Sequence, residues 1–270
     1  MRHSFSHGAP DMKALILSAG QGRRLLPWTE STPKCLLELG PRTVLEWQVE
    51  ALLQAGVEEI GVISGYGVAQ VERALGTFSG RCATRLIFNP FYELADNLAS
   101  CWMAREFMDG PFVLANGDTL FEPAIAEQLL ATASAPITLT TDRKDSYDAD
   151  DMKVTLSGAQ VAAVGKTLPA GQVHAESIGL LHFDATGANL FAATLERCMR
   201  DTEALKRWYL SVISELAAEG AVRECCIAGS EWAEIDYPAD LEHARTMVGG
   251  WHWADPVSYT HLTLPTKRIV

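Results

Sequence analysis

Along the first half of the 270-residue chain, short apolar runs alternate with amphipathic stretches. Residues 14–17 form a β-type run that opens into a glycine-rich loop. Residues 44–55 carry Val44, Leu45, Val49, Leu52 and Leu53 at helical spacing, so they predict a helix with one buried face. Residues 60–64 predict the next strand, 68–75 a helix, 85–88 a strand and 98–107 a helix. The apolar run 112–115 predicts a strand that ends in Asn116-Gly117-Asp118. Strand and helix in alternation imply right-handed crossovers and a mostly parallel sheet covered on both faces.

After Ala133 the rhythm changes. Residues 137–141, 153–156, 161–164 and 178–183 predict strands with little helix between them, and Ser157-Gly158-Ala159-Gln160 reads as a hairpin turn. Helices follow at 188–198 and 205–218, then a strand at 233–235 and a last helix at 240–248. The class is α/β, a Rossmann-like mostly parallel sheet flanked by helices, with extra antiparallel strands in the second half. One domain over residues 12–248 accounts for these elements. Residues 1–11 lack the apolar core of a signal peptide and read as a disordered leader. Residues 249–270 read as an atypical tail with neither helical period nor partner strand. From about residue 257 that tail reads as non-native, because 257–262 resembles a translated sequencing-adapter read-through.

Composition narrows the partners more than the fold. Hydrophobic content of 48% and charged content of 21% describe an ordinary globular chain. The net charge of -12 argues against a nucleic-acid backbone as partner, yet a few placed cations in an acidic protein can still hold a nucleotide. No apolar run reaches the roughly 20 residues a membrane span needs. Six cysteines without metal-ligand spacing read as reduced thiols of a cytoplasmic protein.

The loop after the first strand carries the strongest chemical signal: Leu17-Ser18-Ala19-Gly20-Gln21-Gly22-Arg23-Arg24-Leu25, then Pro33-Lys34. Small residues let backbone N–H groups approach a polyphosphate, and Arg24 and Lys34 would neutralise charge on the α-phosphate and the leaving pyrophosphate. The plain alternative is a strand-to-helix turn with exposed basic residues. No GK[ST] follows, so the loop is not a Walker A sequence, and the third glycine of a dinucleotide fingerprint is missing. Asp118, at the end of an apolar strand, faces the same crevice and could give magnesium a hard oxygen ligand, with Glu234-Ile235-Asp236 supplying a second carboxylate. Asp118 could equally be a turn aspartate and Asp236 a helix N-cap.

With its Pro33-Lys34 continuation, the loop resembles the signature (A/S)AGxGxRL…PK of the sugar-nucleotidyltransferase-like family, and the resemblance covers residues 12–248. It implies a glycosyltransferase-A-like fold and a Mg2+-dependent enzyme that joins a nucleoside monophosphate from an NTP to a phosphorylated acceptor. Carried over residue by residue, Ser18, Ala19, Gly20 and Gly22 hold the nucleotide, Arg24 and Lys34 are the catalytic cations, and Asp118 and Asp236 bind the metal. Arg23 falls on a variable position of the motif.

The second half resembles the short phosphocholine cytidylyltransferase-like branch of that family. The matching pieces are Phe88-Asn89-Pro90-Phe91-Tyr92, Asp96-Asn97-Leu98-Ala99-Ser100, Asp150-Asp151-Met152-Lys153-Val154, Ala175-Glu176-Ser177-Ile178-Gly179 and Glu234-Ile235-Asp236. That likeness implies CTP as the nucleotide, Asn97 and Ser100 on its side of the crevice, and Glu176 and Glu234 among the acceptor contacts. As plain residues, Asn97 and Ser100 could be helix caps. Asp151 in its acidic cluster and the aromatic pair Trp208 and Tyr209 suit an ammonium group, while Lys153 and Lys166 could receive a phosphate or phosphonate. A solvated loop and a core stripe are the alternatives for those two groups. The acceptors implied are phosphocholine, phosphoethanolamine, aminoethylphosphonate or a polyol phosphate. A hexose-1-phosphate nucleotidyltransferase is the rival enzyme, and a non-catalytic nucleotide-binding regulatory module the rival of another class.

Overall fold

The protein is described here from a computed structural model that covers residues 12–253. The leader at 1–11 and the segment from 257 onward lie outside the described residues. In chain order the elements are β1 (Lys13–Ser18), β2 (Glu38–Leu39), β3 (Arg42–Thr43), α1 (Val44–Gln54), β4 (Glu59–Ser64), α2 (Val68–Gly76) and β5 (Ala83–Phe88). Next come α3 (Asn97–Met103), β6 (Phe112–Asn116), β7 (Thr119–Phe121), α4 (Pro123–Thr132), β8 (Ile137–Asp142), β9 (Lys153–Ser157), β10 (Gln160–Gly165) and β11 (Ala175–Phe183). The chain closes with α5 (Ala185–Cys198), α6 (Tyr209–Ala218), β12 (Val222–Cys226), β13 (Trp232–Glu234) and α7 (Pro238–Val248).

One nine-stranded sheet in the order β5-β4-β1-β6-β11-β8-β12-β10-β9 forms the body. β5, β4, β1 and β6 are parallel, as the alternating pattern predicts, and β11 enters antiparallel beside β6. β12 was not foreseen. Its sequence, Val-Arg-Glu-Cys-Cys, interrupts the apolar run with two charges, yet it pairs parallel with β8 and separates it from β10. Helix α4 was also missed. A proline at its first position starts it, and Ile125, Ala126 and Leu129 form its buried face.

Two expected helices differ at their ends. Residues 98–107 are the short α3 followed by a 3-10 turn at Arg105–Phe107, because Ala104 leaves helical geometry at φ -92° and ψ 6°. Residues 205–218 yield α6 only from Tyr209, since Arg207 and Trp208 are extended. That break has a cause. The backbone N–H groups of Asp96 and Leu98 donate to the carbonyls of Leu205 and Arg207, drawing them out of any helical ladder.

The sheet is covered on both faces. One core lies under α3, α5 and α6, and a second under α1, α2 and α4. A third, smaller cluster joins Leu25, Trp47, Leu120, Ile235, Leu241 and Trp251. Trp251 and Trp253 lie in the tail that has neither helical period nor partner strand, and both rings pack edge-on against Trp47, at centroid distances of 5.6 and 5.4 Å. The packed body therefore extends past Val248. Among the described residues no helix is long and apolar enough to cross a membrane.

Candidate active site

Strand pairing assembles the site. β1 and β6 run side by side with Leu17 opposite Asn116, so the glycine loop and the Asn116-Gly117-Asp118 turn leave the sheet together at its carboxyl edge. Gly117 donates its N–H to the Leu17 carbonyl at 2.9 Å. A Cβ on Gly117 would lie 2.1 Å from Ser18 Oγ, so only glycine allows the two loops to meet this closely. β13 then pairs antiparallel with β7, setting Glu234 opposite Thr119, and the Ile235 N–H donates to the Asp118 carbonyl at 3.0 Å. This brings Glu234 and Asp236 beside Asp118 from more than a hundred residues away. Leu25 and Ile235 share the third core cluster, which holds the arginine of the loop next to the same carboxylates.

The result is a cleft of about 340 Å3, lined among others by Ala19, Gly20, Asn97, Ser100, Asp118, Trp208, Tyr209, Glu234 and Asp236. At its charged end the Lys34 ammonium bridges two carboxylates, Asp118 at 2.8 Å and Asp236 at 2.6 Å. Arg24 reaches Asp236 at 3.0 Å. Burial would lower the pKa of Lys34, but Asp118 and Asp236 outweigh it and hold the ammonium above its ordinary range. Gly22 makes room for this lysine. It sits at φ 74°, and a Cβ there would lie 3.0 Å from Lys34 Cβ and Cδ.

Asp118, Glu234 and Asp236 each offer one oxygen, and the three oxygens lie within 4.8 Å of one another. Asp118 Oδ1 is buried with no hydrogen-bond partner. Hard carboxylate oxygens at this spacing, one of them lacking a partner, suit a divalent cation such as Mg2+. Glu234 opens onto the cleft but stands deep among protein atoms. That desolvation, together with the charges of Asp118 and Asp236, pushes its carboxyl up to about 8. Asp236 is not the helix cap: the residue before α7 is Tyr237, and Asp240 accepts the N–H groups of Asp236 and Tyr237.

Not every residue singled out from the sequence reaches the cleft. Ser18 is buried, with its hydroxyl turned under Gly117. Asp151 and Glu176 both pair with Lys144, at 2.9 and 2.8 Å, and Asp151 also accepts the Asp148 N–H. Lys153 is buried and donates to the carbonyls of Asp148 and Lys166. These three side chains tie down the 143–152 loop and are not among the residues that line the cleft. The neighbours that line the cleft instead are Asp150, Met152 and Lys166. Asp150 accepts a hydrogen bond from Tyr237 Oη at 2.9 Å and stands near Lys166 and Arg24, at 3.6 and 4.0 Å. In an acidic run the sequence alone does not distinguish Asp150 from Asp151.

The aromatic pair also changes role. The Lys166 ammonium lies 4.4 Å from the Trp208 ring centroid, so the protein's own cation sits on the face expected for a substrate ammonium. Tyr209 is fully buried in the cleft wall and donates its hydroxyl to Asn116 Oδ1 at 3.0 Å, while its N–H donates to Asn97 Oδ1 at 2.8 Å. Ser100 Oγ accepts from Asn89 at 3.0 Å. Asn116 and Gly117 carry no chemical signature of their own in the sequence. The position of that turn at the end of an apolar strand was the available signal.

Residues 14–208 match the family described as the MobA-like NTP transferase domain. The CTP:phosphoglutamine cytidylyltransferase of Campylobacter jejuni is 24% identical over 254 residues, covering 86% of this chain and 98% of that protein. The bifunctional IPC transferase and DIPP synthase of Rubrobacter xylanophilus is 30% identical over 256 residues. That match takes in 90% of this chain but only 53% of the relative. Among solved structures, the CTP:phosphocholine cytidylyltransferase of Streptococcus pneumoniae superposes with a TM-score of 0.72 at 21% identity, over 88% of this chain and 99% of that one. The fold is thus of the glycosyltransferase-A-like nucleotidyltransferase kind.

Proposed function

The chain belongs to the MobA-like NTP transferase domain family and is a nucleotidyltransferase, and from that premise we propose that it transfers CMP from CTP to a small phosphorylated or phosphonate acceptor. The observation that carries the reading is the Lys34, Asp118, Glu234 and Asp236 cluster beside the glycine loop, at the carboxyl edge of the sheet. The preference for CTP draws on two proteins whose names state it, the Campylobacter protein and the CTP:phosphocholine cytidylyltransferase of Streptococcus pneumoniae.

In this reading Ala19, Gly20 and Gly22 bring backbone close to the triphosphate, and Arg24 and Lys34 neutralise charge at the α-phosphate and the leaving pyrophosphate. Asp118 and Asp236, with Glu234 at hand, hold Mg2+. When bound, the ion would supply positive charge that offsets the negative charge of the phosphates. The acceptor's phosphate or phosphonate oxygen attacks the α-phosphorus in line, and the bond from that phosphorus to the pyrophosphate oxygen breaks. The nucleophile is already an anion, so the protein supplies neither a strong base nor a covalent intermediate. Lys166, beside Asp150 on the acceptor side, receives the acceptor's anionic group. The Asp150 carboxylate and the Glu234 carboxyl suit an ammonium or hydroxyl at its other end.

An activity matrix tests this: each NTP alone against phosphocholine, phosphoethanolamine, aminoethylphosphonate, a polyol phosphate and glucose 1-phosphate, with pyrophosphate release read with and without Mg2+. The expected pattern is CTP-dependent, Mg2+-dependent release with one of the first four acceptors. Turnover confined to glucose 1-phosphate would overturn the acceptor class, and turnover with another NTP alone would overturn the choice of base.

A further inference from the structure

Asp118 sits in the short Gly117-Asp118 turn between β6 and β7, and the cluster depends on where that turn points. One buried side chain holds both of its arms. Gln48, on α1 and 0% exposed, donates through Nε2 to the carbonyls of Asn116 and Thr119, each at 2.7 Å. Those two carbonyls flank the Gly117-Asp118 pair. The orientation of the amide is fixed by its partners: only an NH2 group can serve two carbonyls, and the reversed amide would set its oxygen against both. Gln48 Oε1 is buried without a partner, so a polar group is kept here with one atom unsatisfied.

The opposite side of the turn is clamped by β11. Thr119 Oγ1 donates to the Ile178 carbonyl at 2.8 Å, and Gly179, at φ 75°, lies so close that a Cβ would sit 2.3 Å from Asn116 Nδ2. Gln48 is itself placed by the start of α1. Thr43 and Glu46 exchange hydrogen bonds there, the Glu46 N–H donating to Thr43 Oγ1 and the Thr43 N–H to Glu46 Oε2. A single planar group with two donors spans both arms. A hydroxyl has only one donor, and an ammonium would bury a charge with no carboxylate among its partners.

We propose that Gln48 is a positioning residue: its buried amide braces the turn that carries Asp118 and so sets the geometry in which the carboxylates take a divalent cation. The metal half of this inference rests on the reading of Asp118 and Asp236 given above; the brace itself does not.

Gln48→Met keeps the length and shape of the side chain while removing both donors, and Gln48→Asn, whose amide falls short of the carbonyls, replaces it should the first variant not fold. Two readouts are taken on the full chain: hydrogen exchange at the Gly117 amide relative to amides of β4, and binding of Mn2+ alone, followed by the electron paramagnetic resonance of the free ion. The expected result is at least tenfold faster exchange at Gly117 with β4 unchanged, and about tenfold weaker Mn2+ binding. General loss of stability would quicken both strands together. Gly117 exchange within twofold of wild type relative to β4 would overturn the brace. Faster exchange with unchanged Mn2+ affinity would overturn its bearing on the metal. Should wild type fail to bind Mn2+ while Gly117 exchange rises, the metal reading falls and the brace stands.

Discussion

Lys34→Met isolates the charge at the centre of the cluster. The methionine stem preserves the packing against Gly22, where a Cβ would already approach Lys34 to 3.0 Å. What disappears is the ammonium between Asp118 and Asp236, whose side chains are only 25% and 29% exposed. The carboxylate oxygens lie no more than 4.8 Å apart, and two unit charges at that distance repel by about 3.5 kcal/mol at an effective dielectric of about 20. Solvent in the open cleft and the Arg24 guanidinium, 3.0 Å from Asp236, relieve part of this, leaving an expected loss of about 2 kcal/mol for the metal-free variant at neutral pH. For a domain of this size that lowers Tm by roughly 4–8 °C. Differential scanning fluorimetry at low salt measures it, and millimolar Mg2+ or Mn2+ should restore most of the loss, because a cation then stands among the carboxylates. Turnover should remain depressed by about 10²-fold even in saturating metal, since the cation proposed to meet the phosphates is gone. A Tm within 1 °C of wild type, indifferent to metal, would refute the electrostatic account of this cluster.

The other predictions probe different parts of the account. Glu234 titrates near 4.5 when unfolded and at about 8 in the fold, so between those values the folded chain keeps a proton that the unfolded chain has lost. Stability of the metal-free protein should therefore fall as pH rises through that window, and Glu234→Gln should remove the slope. Its advantage over wild type in urea melts should grow from none at pH 4 to about 1 kcal/mol at pH 8.5, cleft solvent screening the rest. A parallel slope in the variant would sink this assignment. Gly22→Ala forces a side chain into left-handed backbone and against Lys34; it should cost about 1–2 kcal/mol and raise the KM for CTP, and a stability equal to wild type would be contrary. Trp251→Ala empties the pocket on Trp47 and should cost about 3–5 kcal/mol in chemical denaturation with kcat unchanged at 25 °C; a loss below 1 kcal/mol would remove residues 249–253 from the core.

Much of this molecule is legible before any coordinates are seen, for local reasons. The parallel half announces itself because each strand is a short apolar run and each helix, such as α1, carries a clean 3.6-residue repeat behind a Thr43–Glu46 cap. The glycine loop is legible because Gly22 and Lys34 must coexist: the glycine's positive φ and missing Cβ are what the lysine stem requires. The antiparallel half is harder. β12 has charges at Arg223 and Glu224 where a core strand shows apolar residues, and its pairing with β8 is a long-range fact. The acceptor side is least legible. Whether Asp150 or Asp151 faces the cleft is decided by Lys144, which captures Asp151 and Glu176, and the Trp208 ring is covered by a lysine more than forty residues distant. Gln48 looks like one more polar residue on an amphipathic helix; only the carbonyls opposite it give it meaning.

The central claim is that Asp118 and its neighbouring carboxylates are where nucleotide, metal and acceptor meet. Phosphorus NMR of wild type and Asp118→Asn tests it most directly, with both proteins incubated with CTP, Mg2+ and the acceptor found in the activity matrix. Wild type should show the paired diphosphate resonances of a CDP-linked product growing in step with pyrophosphate. The variant should keep a cooperative melt and produce neither. Product formed by Asp118→Asn at near wild-type rate would contradict the account.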